Sequence, residues 1–440
     1  MPEALFMMNR IKETVKRKLK SVIGFTEIEQ ELEKKNLQIS YLQACVYSLK
    51  KEMDGTKPIH VVFVCHRPQI WGALESVCEA LLKDADFRVT IVTVPNKKQL
   101  PKLGLSHEIY ESEGADEYFS ARYDCVVSGY NVETGEWLDL YSLKPDYVFF
   151  QTPYNICRPA IYQSDVVSTF AKLCYVHYGM PFMAGTIADD TTPPDFFKDV
   201  TYHFVEFPEM EAYYSHRAKE FGYERTYQQI LSGYPKLDSA SAAQQHTGGW
   251  TYTDDEKKFR ILWTPRWNTG EGNCTFVEYK DKLIAMAEQD SRIELLFRPH
   301  PQAFKEYVAS GVMTEKEVDA YLQRYACCPN AGIDRSGDYL DNFYTADLLI
   351  SDESSIIPEF FLTGKPIIMT SHETHFNSFA QKLEKGFYGA GNWNDIEKIV
   401  GLLIAGQDEK QELRQSIIQK EFYMPEKGAG YEIVQFLKHI

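Results

Sequence analysis

Two stretches in the second half of the chain end an apolar run in groups suited to a phosphate. In Leu295-Leu296-Phe297-Arg298-Pro299-His300-Pro301 the run stops at a guanidinium and an imidazole held between prolines. Arginine presents a planar fork of donors to phosphate, and histidine donates a hydrogen bond or a proton near neutral pH. In Leu348-Leu349-Ile350-Ser351-Asp352-Glu353-Ser354-Ser355-Ile356-Ile357-Pro358 the run enters a turn with two serines, then a short helical pattern closed by Gly364-Lys365-Pro366. Free backbone N–H groups, hydroxyls and the positive end of a helix dipole at such a turn hold an anion, although serine is also an ordinary helix cap. A third run, Leu262-Trp263-Thr264-Pro265-Arg266-Trp267, adds a hydroxyl and another cation. Three run ends of one chemistry mark Thr264, Arg266, Arg298, His300, Asp352, Ser354 and Ser355 as candidate ligands of a nucleotide diphosphate.

The first half has one matching feature, Leu173-Cys174-Tyr175-Val176-His177-Tyr178-Gly179-Met180-Pro181, with an imidazole where the run turns. Across a cleft from a donor phosphate, His177 is suited to take a proton from an acceptor hydroxyl; a structural histidine at a loop start is the alternative. Asp189, Asp190 and Asp195 follow it, as candidates either to orient the ring or to form an acidic patch. His66 and Arg67, after the first apolar run, are candidates for the acceptor side of the same cleft. The sequence has no GxxxxGK[ST] loop, no GxGxxG after its first strand, no GxSxG and no HExxH, which removes support for kinase, dehydrogenase, hydrolase and zincin chemistry. No DxD-like motif stands at a strand end, so neither a metal nor a cofactor is expected.

The elements that must position these groups alternate between strand and helix. Ile59 to Cys65, Phe87 to Val94, Asp146 to Gln151, Leu173 to His177 and Tyr202 to Val205 read as buried strands, with a helix at about Trp71 to Lys83. A second set follows: strands at Arg260 to Trp263, Ile293 to Phe297, Leu348 to Ser351 and Pro366 to Met369, and helices near Glu278 to Gln289, Thr314 to Tyr325 and Ile356 to Leu362. The expected fold is α/β, with two Rossmann-like domains facing a cleft. The expected boundaries are an acceptor domain at 57–238, a polar linker at 239–258 and a donor domain at 259–440, whose terminal helices can pack back across both domains.

Ahead of these lies a different composition. The 440-residue chain carries a net charge of −16, which argues against nucleic acid as a partner, yet residues 1–24 hold six Lys/Arg against two Glu. Leu5, Met8, Ile11, Val15, Leu19, Val22 and Ile23 recur there at helical spacing, the pattern of an amphipathic helix lying either on an anionic membrane surface or against protein. Residues 25–56 continue with a heptad seam, Phe25, Ile28, Leu32, Ile39, Leu42, Val46, Leu49 and Met53, expected to form a coiled coil and a homo-oligomer, with a single long helix folded onto the body as the alternative. Nine scattered cysteines without a CxxC pair, and no signal peptide or membrane-length apolar run, read as a cytoplasmic chain.

Taken in order, Ile261 to Trp267, Phe297 to Pro301, Tyr344 to Ser355 and Gly364 to Ile368 resemble the CDP-glycerol glycerophosphotransferases, which are similar to GT-B glycosyltransferases and build teichoic-acid or capsule polymers. Gly233-Tyr234-Pro235-Lys236-Leu237-Asp238 and Lys385-Gly386-Phe387-Tyr388 are two further landmarks of that family. The resemblance implies transfer of a phospho-polyol from a CDP-linked donor, with release of CMP, to a glycan or polyol-phosphate acceptor, lipid-linked or free, on the inner membrane face. It implies that Ser354, Ser355, Arg298 and His300 hold the donor diphosphate, with Thr264 or Arg266 nearby. His177 aligns with the family's histidine base, but Tyr178 is inserted before the glycine, Met180 replaces a small hydroxylated residue, and Glu353 stands where Tyr is usual. A glycosyltransferase using a nucleotide sugar is the alternative function on the same architecture.

Overall fold

The computed structural model describes residues 58–97, 110–184, 191–238, 248–252, 258–271, 273–335 and 339–440. The basic helix and the heptad seam, Asp189 and Asp190, and most of the linker lie outside the described residues.

The first sheet has seven parallel strands: β1 (Ile59–Cys65), β2 (Phe87–Thr93), β3 (Val126–Ser128), β4 (Tyr147–Phe150), β5 (Lys172–Val176), β6 (Val200–Val205) and β7 (Gln228–Leu231), in the order β7-β6-β5-β4-β1-β2-β3. The second has six: β8 (Phe259–Thr264), β9 (Ile293–Phe297), β10 (Ala331–Ile333), β11 (Leu348–Ser351), β12 (Ile367–Met369) and β13 (Tyr388–Gly389), in the order β10-β9-β8-β11-β12-β13. The central strands are unbroken apolar runs because helices cover both faces, as in β1, where Val61, Val62 and Phe63 are wholly buried. In both sheets the winding reverses once, between β1 and β4 and between β8 and β11, leaving a crevice at the carboxyl ends of those strands. The expected central strands are all present. The edge strands β3, β7, β10 and β13 were not expected; they are three or four residues long, or two for β13, and too short to carry a period of their own.

One hydrophobic core spans both halves, and a second lies within the second half alone. Phe207 after β6 stacks on Phe379 of the second half at 4.4 Å, and Lys382 bridges Glu209 at 2.7 Å and Glu421 at 2.8 Å across the same seam. The final helix, Ala429–Lys438, returns to the first domain and packs on helix Gly72–Leu82. Asp238 fastens it there, accepting from the backbone of Ala429 and Gly430 at 2.8 Å each and from the Ser76 hydroxyl at 2.8 Å. The helices approach so closely at Gly430 that an added Cβ would lie 2.7 Å from the Ser76 backbone. Among the described residues no helix is long and apolar enough to cross a membrane.

Candidate active site

Thr264, Arg298 and the Asp352–Ser355 turn lie at the carboxyl ends of adjacent strands β8, β9 and β11, on either side of the point where the second sheet reverses. Register alone brings them together, because Trp263 pairs with Phe297 and Thr264 with Ser351. Arg298 is partly buried, ion-paired to Asp334, with its guanidinium 5.0 Å above the Tyr339 ring. His300 is exposed and stacks on Trp267 at 5.2 Å, its Nδ1 accepting from the Gln302 backbone at 3.2 Å. Ser354 is half-buried and Ser355 exposed, one turn ahead of helix Ile357–Phe361. Neither serine caps that helix through its side chain, and its five residues leave it a weak dipole.

Three of the expected donor ligands, Thr264, Arg266 and Asp352, and the Glu353 beside them, are instead engaged within the fold. The Thr264 hydroxyl donates to Ser351 Oγ at 2.9 Å inside the sheet. Asp352 is fully buried and accepts from the Arg266 and Thr275 backbone N–H groups at 2.9 Å each and from the Thr370 hydroxyl at 2.6 Å. Burial raises its pKa, against the opposing pull of those hydrogen bonds. It therefore ties three loops together, and its oxygens face no cleft. The Arg266 side chain reaches back to the Glu353 carbonyl at 3.0 Å. Glu353 is wholly buried too, accepting from Asn273 Nδ2 at 2.7 Å and from the backbone N–H of His375.

That last bond leads across the cleft. Residues 375–377 run antiparallel to 182–184 of the first domain: Ala184 N–H donates to the His375 carbonyl at 2.7 Å, Asn377 N–H to the Phe182 carbonyl at 3.1 Å, and the Phe182 and Phe376 rings meet at 4.6 Å. The Asp352–Ser355 turn is thus tied through Glu353 and His375 to the segment that follows His177. Residue spacing carries no trace of this bridge, which sequence reading missed.

On the first-domain side His177 sits at the end of β5, 2% exposed, its ring stacked 5.2 Å from Tyr214 and edge-on to Tyr175 at 5.0 Å. Its Nε2 has no hydrogen-bond partner, and burial lowers its pKa to about 3, so the ring is neutral. His177, Tyr178, Met180 and Tyr213 line one cavity of about 210 Å³, to which the second half contributes Ser355 and Asn377. The inserted Tyr178 bonds its hydroxyl to that of Tyr154 at 3.0 Å. Asp195, a candidate to orient His177, lies with Asn155 instead. His66 and Arg67 follow β1, their backbone N–H groups bound to Gln151 Oε1 at 2.7 and 2.9 Å; Arg67 pairs with Glu113 at 2.7 Å. Burial first, then the cations Arg158 and Arg67, brings the His66 pKa down to about 3.

The profile of the family described as CDP-glycerol:poly(glycerophosphate) glycerophosphotransferase matches residues 197–422, more than half of the chain. The chain belongs to this family. As a glycerophosphotransferase-like enzyme it has the GT-B-like fold of its structural neighbours. The wall teichoic acid polymerase TagF, solved as a histidine-to-asparagine variant, superposes with a TM-score of 0.55 at 14% identity, over 95% of this chain and 97% of that one. The same variant soaked with CDPG gives 0.51 at 14% identity, over 94% and 96%. UDP-GlcNAc 2-epimerase from Neisseria meningitidis bound to UDP-GlcNAc gives 0.54 at 12% identity, over 87% and 99%. At these identities the neighbours establish the fold alone. No curated protein matches this family member in sequence.

Proposed function

We propose that the protein transfers a phospho-polyol, glycerol phosphate or a close analogue, from a CDP-linked donor to a hydroxyl of a cell-surface glycan or polymer, releasing CMP. The observation that carries this reading is that His177, whose buried Nε2 has no partner, lines one cavity together with Ser355 of the second half, in a chain of the glycerophosphotransferase family. Ser354, Ser355, Arg298 and His300 hold the donor diphosphate, and the acceptor enters beside His66, Arg67 and Tyr178. The acceptor oxygen bonds to the distal phosphorus, its proton passes to His177 Nε2, and the bond from that phosphorus to the bridging oxygen breaks. CMP leaves with the electron pair, its new charge stabilised by Arg298 and the turn. Buried as it is, a free His177 is a weak base; the anionic donor across the cleft raises its proton affinity as the complex forms.

Working from a basic segment at residues 1–24, the enzyme acts at the inner membrane face on an acceptor attached there. Incubation with CDP-glycerol or CDP-ribitol and an oligosaccharide acceptor releases CMP in step with product. If no CDP-polyol yields CMP while a nucleotide sugar raises the melting temperature, the protein is a glycosyltransferase on the same fold.

A further inference from the structure

Lys236 lies in the Gly233–Asp238 landmark at the end of the first domain, yet its ammonium group is spent inside the second. It is buried, donates to Glu359 Oε1 at 3.2 Å and to the Tyr339 hydroxyl, and stands 4.4 Å from the centre of the Tyr339 ring. The Tyr339 hydroxyl in turn donates to Glu359 Oε2 at 2.5 Å, so lysine, phenol and carboxylate close a three-membered ring of hydrogen bonds. Burial, then the Glu359 carboxylate, pushes the Tyr339 pKa well up, which keeps it a donor. The aliphatic stem of Lys236 runs over Gly72 at the start of the first domain's helix, where an added Cβ would come within 3.3 Å of Cγ.

Both second-domain partners adjoin the donor-side groups. Glu359 sits on helix Ile357–Phe361, directly after Ser354 and Ser355. Tyr339 supplies the face over which the Arg298 guanidinium lies, while Asp334 holds Arg298 from another side and is itself held by Asn342 Nδ2 at 2.6 Å. A buried ion pair such as Lys236–Glu359 is an uncertain source of net stability, because desolvation offsets most of its attraction, but it fixes geometry strongly. We propose that Lys236 is a positioning residue for the transfer: from the acceptor domain it sets Tyr339 under Arg298 and anchors the helix behind Ser354-Ser355, so that donor binding and the relative placement of the two domains are coupled.

This rests on the donor site being where it was proposed above. The test compares Lys236→Met, the charge-free pair Lys236→Met with Glu359→Gln, and Tyr339→Phe, with wild type measured alongside. Lys236→Met leaves a buried carboxylate unpaired and lowers the melting temperature; adding Glu359→Gln recovers much of it. In the recovered double variant the KM for CDP-glycerol stays raised by about tenfold to a hundredfold, as misplaced binding groups predict, and kcat falls less. Tyr339→Phe keeps the ring under Arg298 and gives an intermediate rise. A double variant with restored melting temperature and wild-type KM and kcat would overturn the proposal, leaving the cluster a structural clasp. If wild type itself neither binds nor turns over a CDP-polyol, the functional reading fails instead, and the same comparison is made with whichever nucleotide stabilises the fold.

Discussion

His177 and Ser355 come from different domains and line one cavity of about 210 Å³, and the imidazole Nε2 is buried without a partner. An unpaired buried nitrogen costs free energy in the resting protein, and a substrate hydroxyl is the group that would relieve it.

Replacing His177 by Asn should therefore remove turnover and spare the donor. We expect kcat to fall by about two to four powers of ten. Single-turnover CMP release and calorimetric titration with CDP-glycerol separate the effects; an equal loss of donor affinity would assign His177 to binding.

Arg298→Lys retains a cation for Asp334 and loses the planar fork. Donor affinity should weaken by about tenfold, since a charge-assisted hydrogen bond is worth roughly 1.5–3 kcal/mol and Lys keeps part of it. Ser354→Ala should cost less, about 0.5–1.5 kcal/mol. Equilibrium titration of CDP-glycerol reads both.

Three of the buried histidines, His66, His177 and His203, contribute to the acid side of the stability profile. Burial lowers the pKa of His66 and His177 to about 3 and that of His203 well below its ordinary value. The unfolded chain takes up these protons near pH 6.5 while the native state stays neutral. Stability is thus fully present above about pH 6.5 and falls as pH drops toward 3, with ~1.4 kcal/mol per pH unit for each proton. Urea unfolding at pH 7, 6 and 5 measures the slope; His177→Phe, which keeps the stack on Tyr214, should reduce it by one proton.

Glu206 acts in the opposite sense. It is wholly buried at the end of β6, Oε1 has no partner, and burial raises its pKa to about 8, with the Tyr214 hydroxyl 3.4 Å from Oε2 opposing the shift. The native state holds the proton that the unfolded chain loses near pH 4.5, so this contribution is complete below that value and is lost as pH rises to 8. Glu206→Gln should be more stable than wild type at pH 8, the gap closing toward pH 4.5, as chemical denaturation would record.

The central strands, and with them the ends that carry Arg298, His177 and the serine turn, were legible because a strand covered on both faces must be apolar throughout and must stop where polar groups begin. Less was legible about what those polar groups touch. Asp352 stands in the same turn as Ser354, and Thr264 at the strand end beside that of Arg298, yet they are consumed by Thr275, Thr370 and Ser351. Which member of a polar turn points outward depends on loops distant in sequence. The link from Glu353 through His375 to Ala184, and the Lys236–Glu359 pair, were invisible for the same reason: each joins segments with no shared period or motif.

The placement of Ala429–Lys438 on helix Gly72–Leu82 bears on how the chain is made. A ribosome delivers the first sheet early, but one flank of that domain stays greasy and uncovered until residues 429–438 emerge, after the entire second domain has been synthesised. The first domain therefore completes its apolar packing only when the whole chain is available, and a chain truncated before residue 429 exposes that flank.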